Sequence, residues 1–336
     1  MKKTVIIIST TALICLLLLF GAYLDLIFYG DRPTGDEPEK KIITVERGQS
    51  FAVTAEKLHL AGLIESPVRF RILARLKKAD KRIQAGEYLL AADMSPKQIL
   101  TVMVSGKVRL YKYTVPEGYN YMQIASIVDK AGFTPAEEFI KAAADPGFVH
   151  RMGIEADTFE GYLFPDTYHF PRGAGPQEII SAMVARLRSL IPDQWKTRAT
   201  QLGFSFHQIL TLASIIEKET GAPFERPIIS SVFHNRLQKG MRLETDPTVI
   251  YGIKEFDGNI TRKHLTTPTP YNTYKIKGLP PGPIANPGLA SIEAALYPAD
   301  TDYLFFVAKK DTTHQFSANL RDHNRAIRKY QLRRRK

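Results

Sequence analysis

Two glutamates, Glu217 and Glu219, close an apolar segment and are the side chains best placed for acid–base chemistry. From Phe206 onward apolar residues recur at helical spacing, so the pattern predicts that both carboxyl groups lie on the last turn of a largely buried helix. At about 100° per residue they point roughly 200° apart, so they cannot face each other as the two carboxylates of an ordinary glycosidase do. A solvated helix end before the break at residues 221–223 is the alternative interpretation.

An aromatic and acidic segment, residues 159–168, has side chains suited to binding a sugar. Aromatic rings cover the apolar face of a pyranose, and carboxylates accept hydrogen bonds from its hydroxyl groups. Glu160, Tyr162 and Asp166 are therefore candidate substrate-binding residues. The same residues could also form a buried turn, and the pattern alone does not separate the two.

Three loop-rich stretches follow, residues 241–252, 269–274 and 278–288. A loop series of this length in a compact domain usually lines a site, which adds Asp246, Tyr271 and Asn272 to the candidates. The chain has no His-x-x-x-His, no P-loop, no Gly-x-Ser-x-Gly and no dinucleotide fingerprint. We therefore expect neither a metal ion nor a cofactor.

The elements that must position these residues include an internal repeat. Two copies 70 residues apart share a Thr-Val pair, a glycine and a later Ala-Gly pair, at Thr44, Val45, Gly48, Ala61 and Gly62 and at Thr114, Val115, Gly118, Ala131 and Gly132. Each copy predicts a strand, a glycine turn and an amphipathic helix, and each later reaches a Gly-aromatic-Leu element. The fold class is therefore predicted to be α+β.

The N-terminus predicts a membrane segment, because residues 5–24 form an uncharged apolar run of 20 residues. Lys2 and Lys3 precede the run, which by the positive-inside rule places the N-terminus in the cytoplasm and the rest of the chain outside it. A cleaved signal peptide is the alternative. Cys15, within the run, is the only cysteine, so an intramolecular disulfide is excluded.

The net charge of +12 is concentrated at the C-terminus, where the last 16 residues hold eight Lys or Arg and one Asp. A basic tail suggests nucleic acid, but an exported chain rarely meets it. We expect no nucleic-acid partner. A solvated helix, or attraction to anionic lipid or an anionic wall polymer, is the commoner explanation.

Together these features resemble the endolytic murein transglycosylases, the YceG-like family. The resemblance rests on the N-terminal anchor, on a first repeat unit similar to the LysM carbohydrate-binding module, and on four motifs: residues 160–168, 213–220, 243–252 and 271–282. It runs to about Asn324. A spacer that lifts the catalytic part from the bilayer is the alternative to glycan binding by the first unit.

The resemblance implies lyase chemistry on peptidoglycan, with Glu217 as the single catalytic acid. Glu217, its pKa raised by the apolar helix face, would protonate the oxygen of the β-1,4 bond between N-acetylmuramic acid and N-acetylglucosamine. The 6-hydroxyl of the muramic acid would then attack, leaving a 1,6-anhydro end and terminating strand elongation. Tyr271 and Asn272 are expected to hold the N-acetyl group, and Asp246 and Glu160 to orient hydroxyl groups or the catalytic glutamate.

The predicted organisation is an N-terminal anchor, a LysM-like subdomain and a larger α+β catalytic domain. The boundaries are 1–29 for the cytoplasmic tip and anchor, 30–41 for a flexible linker, 42–110 for the LysM-like subdomain, 111–324 for the catalytic domain and 325–336 for a basic tail. The expected location is the inner (cytoplasmic) membrane, crossed once, with peptidoglycan strands and peptidoglycan synthesis proteins as partners.

Two other functions remain open at this stage. A glycoside hydrolase would pair Glu217 with Asp166 or Asp246 as the base for water. A wall-binding scaffold without enzymatic activity would leave the glycan uncut.

Overall fold

The computed structural model describes residues 2–219 and 221–332. Thr220, the last residue of the Glu-Lys-Glu-Thr motif, and residues 333–336 of the predicted basic tail lie outside the described residues. The chain divides into two compact units, the first comprising the chain up to Tyr111 with His169–Gly173, and the second Lys112–Tyr168 with the chain from Ala174 onward. The α+β class is confirmed.

The first unit is a two-stranded sheet covered by helices. Its elements are α1 (Lys2–Asp31), β1 (Lys41–Val45), α2 (Phe51–Leu60), α3 (Pro67–Leu76), β2 (Gly86–Leu90) and α4 (Pro96–Val104). Strands β1 and β2 are antiparallel, with Lys41 opposite Leu90 and Val45 opposite Gly86. Serine side chains at 50, 66 and 95 cap the three helices after α1 by accepting a backbone N–H, which fixes where each helix begins.

The end of helix α1 belongs to the core of this unit. Leu26 and Tyr29 are buried in it, and the Tyr29 hydroxyl donates to the Ser66 carbonyl at 3.1 Å. Beyond the helix, Thr34 donates to the Leu63 carbonyl and the Gly35 N–H donates to that of Ala92. The predicted flexible tether is therefore wrong over its first residues, because the chain there is hydrogen-bonded to the folded unit.

From Ile6 to Leu24, helix α1 is apolar and its side chains are exposed. Residues Ile6–Asp31 are long and apolar enough to cross a membrane, a property that signal sequences share. The helix supports the predicted membrane segment without distinguishing an anchor from a signal by composition.

The second unit is mostly helical. Its elements are β3 (Tyr111–Thr114), whose first residue belongs to the first unit, α5 (Tyr121–Lys130), α6 (Ala136–Ala143), α7 (Pro146–Arg151), β4 (Thr167–Phe170), whose last two residues belong to the first unit, α8 (Pro176–Leu190), α9 (Asp193–Gln201), α10 (Phe206–Glu219), α11 (Arg226–Gln238), α12 (Asp246–Tyr251), α13 (Arg262–Thr266), α14 (Leu289–Leu296), β5 (Phe305–Ala308), β6 (His314–Ser317) and α15 (Leu320–Tyr330). Strand β3 pairs with β4, and β5 pairs with β6 in an antiparallel hairpin. The predicted closing pair of strands is confirmed.

The repeat is visible as structure in its first half. Gly48 and Gly118, at φ +78° and +74°, each turn the chain from a strand into a helix, in conformations that favour glycine. The copies differ later, because Gly86 begins strand β2 whereas Gly161 lies in a turn and strand β4 starts six residues further on. The order strand, helix, helix, strand in the first unit is the one expected of a LysM-like module, and glycan binding by it stays a prediction.

Helix α10 is the centre of the second unit. All its residues from Ile209 to Ile216 are buried, and it packs against α14, α11, α12 and α9. A helix buried on every side needs apolar residues all round, which the run supplies until Glu217. The predicted buried helix is confirmed, with its two glutamates on the last turn.

Candidate active site

Glu217 lies on the last turn of helix α10, and its carboxyl group is almost enclosed, the side chain being only 7% exposed. Its Oε2 accepts the backbone N–H of Gly288 at 3.0 Å, and its Oε1 lies 3.4 Å from Nη2 of Arg226. Gly288 is the residue that begins helix α14, so its N–H is one of the donors that a helix start leaves without a helical partner. Both carboxylate oxygens of Glu217 are therefore held by protein donors.

Arg226 is the cation of the site. It is the first residue of helix α11, is 13% exposed, and its Nη2 lies 3.4 Å from Glu217 Oε1 and 3.9 Å from Glu117 Oε2. Its Nε is buried, and none of the described residues is a hydrogen-bond partner for it. One guanidinium group thus serves two carboxyl groups.

Glu117 lies in the turn between β3 and α5 and is the second carboxyl group of the site. Its side chain is 51% exposed, far more than that of Glu217. A β-carbon at Gly288 would overlap the Glu117 carboxyl group, and one at Gly118 would lie 3.4 Å from Cγ of Glu217. Because Gly118 and Gly288 have no side chain, their backbone segments can approach closely enough to bring Glu117 and Glu217 together near Arg226.

Burial raises the pKa of Glu117 above its usual value, and the negative charge of Glu217 raises it further, while Arg226 opposes the shift. A raised pKa means that Glu117 holds its proton to higher pH than a free glutamate does.

The loop that carries Gly288 runs along one face of α10. His207 contacts the Pro281 carbonyl at 3.0 Å, and the Ser214 hydroxyl accepts the Ile284 N–H at 3.0 Å. Ser214 is fully buried. Together with the bond from Gly288 to Glu217, these contacts attach the loop at the start, middle and end of the helix.

Asn286 fastens this loop to the turn that holds Glu117. Its side-chain amide donates to the Tyr119 carbonyl and to Glu160, each at 2.9 Å, and its Oδ1 accepts the Leu163 N–H at 2.8 Å. Its backbone carbonyl accepts the Gly118 N–H. Asn286 is fully buried, so each of these bonds is protected from water.

Glu160 is a buried residue, 2% exposed, whose carboxyl group stabilises the segments around the site. It accepts hydrogen bonds from the Tyr121 N–H, the Tyr251 hydroxyl and Asn286. Burial raises its pKa to about 8, although these hydrogen bonds oppose the shift. Glu160 is connected through Asn286 to the turn that holds Glu117.

Glu219 points away from Glu217, as the helical spacing predicts. It accepts a hydrogen bond from the Thr245 hydroxyl, and burial raises its pKa, with the nearby charge of Asp246 adding to the shift. Asp246 accepts from the Tyr274 hydroxyl at 2.8 Å. Both acids line a cavity of about 510 Å³, next to the β5–β6 hairpin.

Tyr271 and Asn272, adjacent in sequence, have different surroundings. Tyr271 packs on the ring of Tyr251 and lines a cavity of about 450 Å³ together with Glu160. Asn272 is fully buried, and its amide donates to the carbonyls of three residues of one loop, His264, Leu265 and Thr267, while its Oδ1 accepts the Tyr274 N–H.

Tyr162 and Asp166 are bound to other parts of the unit. The Tyr162 hydroxyl lies 2.9 Å from Nδ1 of His207, and the two rings stack. Asp166 accepts from the Thr167 N–H and from Nε of Arg186 at 2.6 Å, and these contacts hold the pKa of its carboxyl group below the usual value. The structure therefore brings Glu160 and Tyr271 together, whereas the contacts of Asp166, Asp246 and Tyr162 lie elsewhere.

Sequence reasoning missed Glu117, Arg226 and Asn286. One signal for Glu117 was present in the repeat, because the position 70 residues earlier is Arg47, before the equivalent glycine. A change from cation to carboxylate at a shared turn indicates that the second copy has a use of its own for that side chain. Arg226 and Asn286 had no comparable signal.

Comparisons with known proteins agree on one family. The YceG-like family matches residues 43–329. The endolytic murein transglycosylase of Bacillus subtilis strain 168 is 36% identical over 304 residues, which cover 86% of this chain and 84% of the relative. That of Streptococcus pneumoniae strain D39 is 29% identical over 87% of this chain, and the match spans 59% of its length. A crystal structure of a YceG-like protein from Listeria monocytogenes superposes with a TM-score of 0.60 at 36% identity, covering 86% of this chain and 99% of that one.

Proposed function

We propose that this chain, which belongs to the YceG-like family, is an endolytic peptidoglycan lytic transglycosylase. It cleaves the β-1,4 bond between N-acetylmuramic acid and N-acetylglucosamine within nascent glycan strands and leaves 1,6-anhydro ends. The relatives from B. subtilis and S. pneumoniae carry the name of this activity. The observation that carries the proposal is the carboxyl group of Glu217, fixed at the end of a buried helix by Arg226 and the Gly288 N–H.

Glu217 is the proposed catalytic acid and base. Glu217 gives its proton to the glycosidic oxygen as the bond to the anomeric carbon breaks, and the resulting carboxylate takes the proton of the 6-hydroxyl of the same muramic acid as that oxygen forms the new bond to the anomeric carbon. An attacking group already on the sugar has a large effective molarity, so no water needs to be activated. Atoms balance without any co-substrate.

The contacts of the remaining candidate residues support a different role for each of them. Tyr271 lines a cavity beside Glu160 and is proposed to bind the N-acetyl group. Asn272 contributes by shaping its loop, because its amide is engaged by backbone groups. Glu160 orients the loops around Glu217, and Tyr162, Asp166 and Asp246 are proposed to bind more distant parts of the strand.

The arrangement disfavours a two-carboxylate hydrolase. Such an enzyme needs its second carboxylate across the sugar ring, at least about 5 Å from the first. Asp166 is paired with Arg186, and Asp246 lies on the Glu219 side of helix α10. Glu117 contacts the same guanidinium nitrogen as Glu217, which suits two groups on one face of a sugar.

We also propose that helix α1 anchors the protein in the inner (cytoplasmic) membrane, with one crossing and the catalytic unit outside the cytoplasm, where strands and peptidoglycan synthesis proteins are found. Because Leu26 and Tyr29 are core residues in the same helix as the apolar run, a signal-peptidase site beyond Asp25 would lie inside the folded unit. This favours a retained anchor over a signal peptide.

Digestion of uncrosslinked glycan in heavy-oxygen water tests the function. The full chain in detergent is expected to release fragments with unlabelled anhydro ends, lighter than hydrolytic ends by one water. Label at the new ends would establish a hydrolase, and uncut glycan would establish a binding protein. Asp166→Asn and Asp246→Asn are expected to slow the reaction without changing the ends.

A further inference from the structure

We propose that Glu117 is a second catalytic carboxyl group and that Glu117 and Glu217 hold one proton between them. The inference rests on the proposed transglycosylase function and adds to it a residue that contacts the glycan. It follows from the geometry of four groups: the two carboxyl groups, the Arg226 guanidinium and the Gly288 N–H.

The charges at the site favour one shared proton. Arg226 supplies a single positive charge to two carboxyl groups, at 3.4 Å from Glu217 and 3.9 Å from Glu117. With both carboxylates ionised the cluster carries an excess negative charge beside the nearly buried carboxyl group of Glu217, which is costly. With one proton the three groups sum to zero. Two carboxyl groups held close together commonly share a proton for this reason.

The exposure of the two glutamates assigns contact with the glycan to Glu117 as well. Glu217 is 7% exposed, and its two oxygens are occupied by Arg226 and Gly288. Glu117 is 51% exposed, and among the residues that the structure describes it forms an ion pair within 4.0 Å with Arg226 alone. Part of its carboxyl group therefore remains open to a strand that lies against Glu217.

The other charged groups near the pair do not alter this balance. Lys218, the next residue along helix α10, is exposed and donates its ammonium group to the Gly118 carbonyl at 3.3 Å. The charges that act on Glu117 are those of Glu217 and Arg226. Arg226 is therefore the cation that opposes the rise in the pKa of Glu117.

A pair on one face of the sugar fits the bond changes of the reaction. The anhydro bridge replaces the β-glycosidic bond on the same face of the ring, so proton donation and proton removal occur side by side. The proton of the pair goes to the leaving oxygen as the old C1–O bond breaks. The 6-hydroxyl proton goes to the ionised member of the pair as the new C1–O bond forms. The pair ends with the one proton it began with, and neither water nor a co-reactant is consumed.

The test compares Glu117→Gln, Glu117→Asp and Glu217→Gln in the full chain in detergent. Glu137→Gln, an exposed glutamate of helix α6, is the control. We measure kcat, the pH dependence of kcat, the melting temperature and the end groups formed in heavy-oxygen water. General acid–base groups commonly contribute at least about 100-fold to rate, so Glu117→Gln is expected to lose about that factor.

The pH profile distinguishes proton transfer from mere positioning. In the wild type it is expected to be bell-shaped, falling when the pair gains a second proton or loses its only one. Glu117→Gln is expected to lose the bell shape in its residual activity. Glu117→Asp keeps a carboxyl group and is expected to keep the bell shape at a lower rate.

The outcomes separate this proposal from the proposed function. Unlabelled anhydro ends from the wild type, with unchanged kcat in Glu117→Gln, would overturn the pair and leave the function standing. A rate loss with an unaltered bell would make Glu117 a positioning residue and also overturn the pair. Labelled ends from the wild type would overturn the function itself. If Glu117→Gln melts far below the control, Glu117→Asp decides by its profile.

Discussion

The backbone N–H of Gly288 donates a 3.0 Å hydrogen bond to Oε2 of Glu217, so the N-cap of helix α14 contacts a carboxylate on the last turn of helix α10. A helix start is a favourable place for negative charge, because its N–H groups point outward without helical partners. The contact joins two packed helices at the group that is proposed to do the chemistry. It also makes residue 288 a sensitive position, because its missing side chain leaves the room that Glu117 fills.

Gly288→Ala is predicted to reduce kcat at least about tenfold, because the added methyl group displaces the Glu117 carboxyl group from the pair. The backbone at this position, with φ −74°, accepts alanine without strain. Gly175→Ala is a matched control at the start of helix α8, where the added carbon would meet only Gln177 at 4.0 Å. Equal kcat in both variants would contradict the prediction.

Glu217→Gln is predicted to lose at least about 100-fold in kcat while folding normally, because the amide keeps the shape but cannot exchange the proton. Glu219→Gln is predicted to lose about tenfold or less, since its side chain faces Thr245 on the other side of the helix. Glycan cleavage and melting temperature are measured together. Equal losses with normal melting would mean that the wrong glutamate has been chosen.

Glu160→Gln is predicted to change how stability depends on pH. The pKa of Glu160 is about 8 in the folded protein against 4.5 for a free glutamate, so between these values the folded state binds a proton that the unfolded state lacks. Stability from this group is therefore full below about pH 4.5, falls as pH rises, and levels off above about pH 8.

The measurement is the melting temperature of the wild type and of Glu160→Gln from pH 5 to pH 8. Because glutamine resembles the protonated acid at every pH, the variant is expected to gain stability relative to the wild type as pH rises. Glu137→Gln is the control, with no such trend. A constant difference between Glu160→Gln and the wild type would refute the prediction.

Asn272→Ala is predicted to destabilise the protein by about 2 to 3 kcal/mol, because three loop carbonyls and the Tyr274 N–H lose the partner that the fully buried Asn272 amide supplies. Tyr271→Phe keeps the ring against Tyr251 and removes only a hydroxyl group, so it is predicted to leave the melting temperature unchanged and to raise KM. Denaturant unfolding and cleavage kinetics of both variants check this. A stable Asn272→Ala with raised KM would restore Asn272 as a direct ligand.

The anchor is predicted to be retained, with the C-terminus outside the cytoplasm. A reporter fused after Lys336 that works only outside the cytoplasm, on a chain whose N-terminus remains intact by mass measurement, is the expected result. If the reporter were active only in the cytoplasm, the proposed orientation would be wrong. Loss of residues before Leu26 in the mature protein would instead establish a signal peptide.

The sequence predicts those elements that are determined by residues close together in the chain. Helix α10 and the divergence of Glu217 from Glu219 follow from spacing alone, and the β5–β6 hairpin follows from its two apolar runs. The partners of Glu217 do not follow in this way. Glu117 and Arg226 come from a turn and a helix start that are distant in sequence, and they meet because glycines allow close approach.

Asn272 illustrates a different limit. Its residue type fits a ligand for an N-acetyl group, but the same amide also suits the carbonyls of a tight loop. Which task it has depends on the shape of residues 264–267, and no periodicity encodes that shape. Asp166 and Asp246 are similar, since a carboxylate that suits a sugar also suits Arg186 or Tyr274.

The burial of Leu26 and Tyr29 determines where the first unit can work. With residues 5–24 in a bilayer core of about 30 Å, the core of this unit begins within two residues of the membrane boundary. Asp25 and Asp31 bind Arg69 and Lys97 of the same unit, which fixes the rotation of the helix as well as its height. With helix α1 as the proposed anchor, the first unit would reach only the layer of wall next to the membrane. It would meet strands as they leave the enzymes that polymerise them, and the mature wall would lie beyond its range.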